Sequence, residues 1–273
     1  MAYSEFKTEE EFKENCGYDI DGVWYPRVTR ITDMKAKPAL YRFYGSVGFD
    51  RGREIANKSA EEGTLVHELA EQMLVGDLPV NVDERVAPSL NALWEFLQKN
   101  KVEVNPDHVE MRVVNNEHLY AGTLDVLAKI NGKFGLLDIK TSESIYRDYN
   151  IQTSAYMDSL VRDFDDLKTR WILRIDQNQS CKRCGANRRV KGGREKIKRA
   201  WKQRNGFGGH YDVVSHCKDH EHDWGPLLGE IELKELPLDW QKDFNAFLGA
   251  KALWEWEHSS WLERIGYRLK DRL

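Results

Sequence analysis

The sequence lacks the features that would direct it to a membrane or an export pathway. No run approaches the roughly 18 apolar residues that a membrane helix needs, and the start, MAYSEFKTEEEFKE, is too acidic for a signal or transit peptide. Internal repeats and low-complexity tracts are also missing. We therefore expect a cytoplasmic chain without a membrane partner. With 41% hydrophobic content over 273 residues, it can bury a full core.

Cysteine is scarce, with four residues in the chain. In a reducing compartment these are poor evidence for disulfides. Cys181 and Cys184 instead have the spacing of a metal-binding knuckle, and Cys217 with His220 forms a second one. Together they predict a tetrahedral Cys₃His zinc site. Three other histidines compete with His220 for the fourth position: His210, His216 and His222. The alternative to a zinc site is a flexible loop with coincidental cysteines.

Positive charge is concentrated in one segment, although the whole chain carries −4. Between Cys181 and Asn205, eleven Lys and Arg residues stand against Glu195 alone, so this segment carries +10 and the remainder −14. A basic lobe on an acidic body is typical of a protein that binds a polyanion. Six of its residues are predicted to contact a nucleic-acid backbone: Arg188, Arg189, Lys191, Arg194, Lys198 and Arg199.

Hydrophobic periodicity predicts the order helix, strand, strand, strand, helix, strand between residues 60 and 176, which indicates an α/β (α+β) fold. A hairpin at 18–26 precedes this pattern, and residues 177–224 interrupt it with basic, Cys/His-rich sequence before a last strand and helix. The predicted helices are 52–75, 88–100, 148–162 and 238–261. The predicted strands are 109–114, 120–130, 133–141, 169–175 and 227–234.

The dipeptide Asn131-Gly132 is the strongest local signal, because it predicts a two-residue type I′ turn between two strands. Such a turn sets the register of the whole hairpin. It places Asp125 opposite Asp138 and Thr123 opposite Lys140. Like charges that face each other across strands are destabilising. A hard divalent cation would offset the repulsion, with Lys140 as a second positive charge beside Asp138.

Two further motifs are weak when taken singly. In Gly63-x₃-His67 the two residues share a helix face, where the imidazole can coordinate a metal. In Gln152-x₃-Tyr156 an amide and a phenol share another face, suited to phosphate or base contacts. A lone helical histidine is more often structural, and Tyr156 can equally be a core residue. The two motifs become informative through their order along the chain relative to the other motifs.

Four motifs in this order resemble those of the PD-(D/E)xK nucleases, and specifically the RecB-like exonucleases of phage, CRISPR-adaptation and mitochondrial genome-maintenance systems. They are Gly63-x₃-His67, Gly122-Thr123-x-Asp125, Asp138-Ile139-Lys140-Thr141 and Gln152-x₃-Tyr156. The resemblance covers roughly residues 18–176. It implies a restriction-endonuclease-like core, a central mixed sheet flanked by helices (αβββαβ). The nuclease domain would comprise residues 1–176 and 225–273, with 177–224 as a zinc-binding insertion.

The resemblance also implies roles for individual residues. His67, Asp125, Asp138 and the carbonyl of Ile139 would hold Mg²⁺ or Mn²⁺, and Lys140 would position or activate the attacking water. Gln152 and Tyr156 would line the substrate groove. Glu110 is either a further acidic participant or an exposed strand charge. The late cysteines lie before the final strand and helix, unlike those of the iron-sulfur members, so zinc is favoured over a cluster.

Three functions remain open at this level. The favoured one is a Mg²⁺- or Mn²⁺-dependent DNA exonuclease that acts on linear or single-stranded DNA in phage or bacterial recombination and repair. A catalytically silent nucleic-acid-binding protein of the same fold is the second, although the intact set of His67, Asp125, Asp138 and Lys140 argues against it. An endonuclease is the third, and no recognition domain supports it.

Overall fold

The structure is a computed structural model, and it describes residues 6–203, 211–213 and 217–267. The N-terminal part is mostly helical. Its first helix begins where the Thr8 side chain caps the backbone N–H of Glu11 at 3.1 Å. The elements are α1 (Glu9–Cys16), β1 (Gly17–Ile20), β2 (Val23–Pro26), α2 (Val28–Thr32), α3 (Pro38–Val47), α4 (Phe49–Leu74) and α5 (Ala87–Lys99).

The rest of the chain alternates strands with helices, as a mixed α/β protein does. Its first elements are β3 (Glu103–Val109), β4 (Arg112–Asn115), β5 (Tyr120–Thr123), β6 (Val126–Ile130), β7 (Lys133–Lys140), α6 (Asp148–Leu160) and β8 (Thr169–Ser180). Then follow β9 (Asn187–Lys191), β10 (Arg194–Lys198), β11 (Trp201–Gln203), β12 (Tyr211–Val213), β13 (Leu228–Glu235), α7 (Gln241–Glu257) and α8 (Ser259–Arg264).

Seven of the described strands form one mixed sheet in the order β10-β9-β8-β7-β6-β3, with β13 paired to β8. The β6–β7 hairpin has the predicted register, since Ile130 pairs with Lys133 across the Asn131-Gly132 turn. Asn131 and Gly132 both have positive φ, at 49° and 81°, as a type I′ turn requires. β7 and β8 are parallel, because α6 carries the chain back across the sheet.

The sheet separates two apolar cores, and strand alternation assigns its residues to them. Leu127 and Leu136 face the core that contains α1, α2, α6 and α7. Val126, Leu137 and Ile139 face the second core, which α4 and α5 cover. None of the described helices combines the length and the apolar character that a membrane span requires.

Two of the strands predicted from the sequence differ in the structure. The predicted strand 109–114 is two strands, β3 and β4, separated at Glu110, whose φ of 49° turns the chain. The predicted strand 120–130 breaks after Thr123, because β5 leaves the main sheet to pair with β4. Thr123 therefore pairs with Arg112 and does not face Lys140. β3 was missed because its sequence, EVNPDHV, is polar and contains proline.

Other differences concern helix ends and the insertion. The predicted last helix is two helices, with His258 between α7 and α8. α1 and α3 had no sequence prediction. β8 continues past residue 177 to Ser180, and β9 pairs with its end through Gln179 and Ser180. The strand therefore crosses the predicted start of the insertion, and the β9–β10 hairpin extends the main sheet.

Candidate metal centres

Asp138 and Lys140 lie on β7 and point to the same face of the sheet, as their spacing of two predicts. Lys140 Nζ lies 2.6 Å from Asp138 Oδ2. The Asp138 side chain is 0% exposed. Its Oδ1 has no hydrogen-bond partner among the residues that the structure describes. Because a buried carboxylate oxygen is costly to leave unsatisfied, this atom is available to accept a hydrogen bond or to contact a cation.

Asp125 lies directly beyond the β6–β7 ladder, whose last pair is Val126 with Leu137. Its position therefore follows the predicted register, although no ladder pair joins it to Asp138. Its Oδ2 instead accepts a hydrogen bond of 2.5 Å from the Ile139 backbone N–H. This bond satisfies an amide of β7 beyond the last β6–β7 pair, and it holds the carboxylate at the end of β6.

His67 approaches the same place from α4. Its Nε2 lies 3.2 Å from the Ile139 carbonyl oxygen and 3.3 Å from Asp125 Oδ2. Its Nδ1 lies 2.6 Å from Glu71 Oε1, one helical turn along α4. Burial alone would lower the pKa of His67, but the hydrogen bonds to Asp125 and Glu71 outweigh it and raise the pKa to about 10. Without a metal, His67 therefore lies between two carboxylates that favour its protonated form.

Glu71 and Glu110 extend this arrangement. Ligand atoms of His67, Glu71 and Glu110 all lie within 4.8 Å of one another. Burial raises the pKa of Glu110 to about 7, and the negative charges of Glu71 and Asp125 contribute. The backbone N–H of Glu110 donates to the Asp125 carbonyl at 2.9 Å. Glu110 is exposed, and its carboxylate lies within reach of His67 and Glu71.

Sequence reasoning missed Glu71. A signal was available, because Glu71 follows His67 by four residues and therefore shares its helix face. Such a pair alone is common on helix surfaces, so it would not have distinguished a site. What distinguishes Glu71 is the turn at Glu110, which lies far away in sequence.

The pKa values of the three buried groups on the sheet are interdependent. Burial raises the pKa of Asp138 to about 6, against the lowering effect of Lys140. For Asp125, burial also acts upward, but the charge of Lys140 and the hydrogen bond of His67 outweigh it and lower the pKa. Burial would lower the pKa of Lys140, yet the two aspartates raise it. The cations thus compensate the carboxylates in the metal-free chain.

A cleft of about 630 Å³ lies beside these groups; Asp125 and Asp138 are not among its lining residues but contact two that are, His67 and Lys140. His67, Glu71, Glu110 and Lys140 are among the residues that line it. Gly63 also lines it, and a Cβ there would lie 2.8 Å from Thr141 Oγ1, so this glycine lets α4 approach the end of β7 closely. The cleft therefore lies where the helix carrying His67 meets the strand carrying Lys140.

Gln152 and Tyr156 are on one face of α6, as predicted, but Tyr156 lies in the apolar core, the alternative that the sequence left open. Tyr156 is only 1% exposed and belongs to the apolar core. Its phenol oxygen accepts a hydrogen bond of 3.2 Å from Gln152 Nε2. A side chain at Gly122 would overlap the Tyr156 ring. The structure thus places Tyr156 in a packing role, and Gln152 remains half-buried beside it.

The second centre lies in the insertion, where Cys181, Cys184, Cys217 and His222 form a group that can hold a metal ion. Their ligand atoms lie within 4.8 Å of one another, and Cys184 Sγ is 3.6 Å from His222 Nδ1. The predicted ligand His220 is wrong. Its side chain is 78% exposed and lies 3.8 Å from Glu221, its neighbour in a single 3₁₀ turn.

The local backbone explains how the knuckle forms. Cys181 N–H donates to the Ala186 carbonyl at 2.8 Å, and Gly185 N–H donates to the Cys181 carbonyl at 2.9 Å. Gly185 has a φ of 70°, which closes this turn. His222 is placed by stacking on Trp224, with ring centroids 4.4 Å apart. The competing candidates His210 and His216 lie outside the described residues.

The thiols of this group differ in their pKa values. Burial would raise the pKa of Cys181, but hydrogen bonds from the Cys184 backbone and from His222 outweigh it and lower the pKa to about 5. Burial and the neighbouring sulfurs raise the pKa of Cys217 to about 11. One thiolate held among other sulfurs is the state that a bound cation stabilises.

The cations of the β9–β10 hairpin are mostly turned towards the protein. Arg189 Nε lies 2.7 Å from Asp176 Oδ2, and its Nη2 donates to the Thr141 carbonyl at 3.2 Å. Lys191 donates to the same carbonyl. Arg188 donates to Gln179 at 3.0 Å. The remaining two lysines pair with Glu143 at 2.7 and 2.6 Å: Lys196 and Lys198.

This arrangement divides the six predicted DNA contacts. Arg199 is exposed, as a contact with the nucleic-acid backbone requires. Arg194 lies over the Phe43 ring of α3, 4.7 Å from its centroid. Arg188 and Arg189 are half-buried and engaged within the protein, so they position the hairpin beside the cleft. A side chain at Gly192 in its turn would overlap Ser59 of α4.

Comparison with known proteins adds no identification. Neither a scan against protein-family models nor a search of curated proteins finds a match to this chain.

Proposed function

We propose that the chain is a metal-dependent nuclease that hydrolyses phosphodiester bonds of DNA, and that the cleft is its active site. The observation that carries the proposal is the convergence of His67, Asp125, Asp138 and Lys140 at one strand end. These residues come from distant parts of the sequence and from two faces of the sheet. Their meeting supports the resemblance to the PD-(D/E)xK nucleases and to a restriction-endonuclease-like core.

The donor set suits a hard divalent cation such as Mg²⁺ or Mn²⁺. Carboxylate and carbonyl oxygens are the ligands these ions prefer. Asp125, Asp138, the Ile139 carbonyl and His67 would hold the ion, and the unsatisfied Asp138 Oδ1 is the atom that most needs it. Once bound, the ion would supply an acidified water and stabilise charge on the phosphate.

The chain's own residues would do the rest. Lys140 borders the cleft, where its ammonium group would orient a water or stabilise the growing charge on the phosphate. His67 would have to release its proton before it coordinates the ion, and Glu71 is the carboxylate in contact with its other nitrogen. That contact would orient the imidazole ring, as carboxylates do for metal-bound histidines.

For the insertion we propose that the metal of the Cys₃His group is zinc. Three sulfurs and one imidazole nitrogen are a common structural zinc set. An iron-sulfur cluster would colour the protein brown and absorb visible light, whereas the zinc protein is colourless. Zinc would stabilise the base of the β9–β10 hairpin, which lies against α4 and the end of β7.

The test uses end-labelled linear DNA and covalently closed circular DNA, each with and without Mg²⁺ or Mn²⁺. We expect metal-dependent loss of the linear substrate, and loss of linear DNA alone identifies an exonuclease. Asp138→Asn should reduce the rate by at least about 100-fold. Asp165→Asn, at an exposed position, is the matched control and should retain the rate.

Two results would contradict the proposal. Unchanged cleavage by Asp138→Asn would show that the cleft is not the active site. DNA binding without cleavage under any metal condition would favour the catalytically silent binding protein. Cleavage of circular DNA would retain the nuclease but favour an endonuclease of the same fold.

A further inference from the structure

Helix α3 stands out because none of its side chains is buried by the part of the chain that the structure describes. It carries four aromatic or large aliphatic residues in ten positions. Tyr41 is 64% exposed, and Phe49, at the start of α4, is 66% exposed. The Phe49 ring lies against that of Tyr44 on α3, so the exposed apolar surface continues from α3 to α4. Such a surface is unusual where it contacts only water. We therefore expect this surface to bind another molecule.

The rings are held in place from below. Tyr44 of α3 packs against Gly52 of α4, where any side chain would overlap its ring. Its ring centroid lies 5.6 Å from that of Phe49. On the other side, Arg194 at the start of β10 covers the Phe43 ring. α3 is thus attached to α4 and to the hairpin, and Tyr41 and Phe49 remain uncovered.

The charge around these rings is positive. Between residues 33 and 53 there are five Lys or Arg residues and two Asp residues. Lys35 and Lys37 form ion pairs with Asp148 and Asp33. The exposed arginines make no ion pair with any residue in the described ranges: Arg42, Arg51 and Arg53. We name Tyr41, Phe49 and these three arginines the aromatic shoulder.

The aromatic shoulder is continuous with the cleft. α4 carries Phe49 at one end and the cleft residues Ser59, Gly63 and His67 further along. At 1.5 Å per residue, Phe49 lies about 15 Å along the helix axis from Ser59. A strand that enters the cleft can therefore reach the shoulder along a single helix.

We propose that the aromatic shoulder binds the single-stranded part of a nucleic acid whose phosphodiester lies in the cleft. Unpaired bases stack on exposed rings whatever their sequence, and arginines beside the rings contact the phosphates. A duplex keeps its bases stacked inside and offers no faces to Tyr41 and Phe49. The shoulder thus selects for unpaired strands. This inference rests on the proposed nuclease function and deepens it.

The test measures binding by fluorescence anisotropy in the Asp138→Asn background, so that the probe is not cleaved. The probes are labelled oligothymidylates of about 20 and about 5 nucleotides and a blunt duplex. Tyr41→Ala with Phe49→Ala should weaken binding of the long strand at least about tenfold, and that of the short strand and the duplex much less. The double variant Tyr41→Trp with Phe49→Tyr keeps a ring at both positions and should bind the long strand as the parent protein does.

Trp256→Ala is the matched control, because this ring is 71% exposed on α7, which does not line the cleft. Replacing the three arginines by glutamine should reduce the salt dependence of binding by about two units of slope. Equal losses of affinity for duplex and single strand, or no loss at all, would contradict the proposed role of the aromatic shoulder. The nuclease proposal would not be affected. If the Asp138→Asn protein binds none of the three probes, both proposals fail.

Discussion

The cleft and the Cys/His centre each bring together groups that could hold a metal ion, but they differ in what holds those groups together. The cleft residues lie on long elements, α4 and the sheet, between two large apolar cores. Among the residues that the structure describes there, the Cys/His centre has a core of three buried residues: Cys181, Cys184 and Ala186. A metal in the cleft would enter a folded scaffold, whereas a metal in the insertion would be part of what folds it.

The difference extends to charge. In the cleft, His67 pairs with Glu71 and Asp125, and Lys140 pairs with Asp138, when no metal is present. In the described part of the insertion, Arg188 is directed to Gln179 and Trp224 and not to the sulfurs. The cleft is therefore expected to remain intact without its metal, and the Cys/His centre is not.

The largest expected effect concerns the zinc ligands and separates the two centres most sharply. His222→Ala should lower zinc affinity by at least about 100-fold, because it removes one of four ligands, and should expose residues 177–224 to protease. His220→Ala should keep one zinc per chain. Metal analysis and limited proteolysis measure both, with Cys16→Ser as the cysteine control. Zinc retained by His222→Ala but lost by His220→Ala would restore the sequence-based assignment.

An intermediate effect is expected from pH. His67 has a pKa of about 10 in the folded chain, above its ordinary value of 6.5. The stability it contributes is therefore full below about pH 6.5 and is lost as the pH rises through about 10. Thermal unfolding of the zinc-loaded protein without Mg²⁺ or Mn²⁺ should show this decline.

Two comparisons sharpen the pH experiment. His67→Gln should lack the decline, because glutamine does not titrate. Added Mn²⁺ should flatten it, since a coordinating imidazole is already neutral. If His67→Gln follows the same pH curve as the parent protein, the compensation of the cleft by His67 is refuted.

The smallest effect distinguishes the inward from the outward cations of the insertion. Arg189→Ala breaks the half-buried pair with Asp176 and should cost about 2 kcal/mol of unfolding free energy. Arg199→Ala should change that free energy by less than about 0.5 kcal/mol, but should weaken DNA binding slightly at low salt. Chemical denaturation and a salt titration measure the two quantities. The opposite pattern would show that Arg189, and not Arg199, faces the nucleic acid.

Much of the fold could be predicted because its signals are local. The Asn131-Gly132 turn carries its own conformational preference, so the β6–β7 register follows from it. The amphipathic patterns of α4 and α5 gave their positions within a few residues. The predicted strands failed where tertiary pairing overrides local preference, as at Glu110 and after Thr123.

By itself, the sequence determined which residue types stand near each turn and on each helix face: the neighbours Asp138 and Lys140, the pair Gly63 and His67, and the spacing of the cysteines. Only the tertiary structure decided which distant groups meet. It brought Glu71 and Glu110 to His67, chose His222 over His220, and turned Arg189 inward. The reason is physical: a local pattern fixes direction along one element, whereas contact between elements depends on how their apolar faces pack.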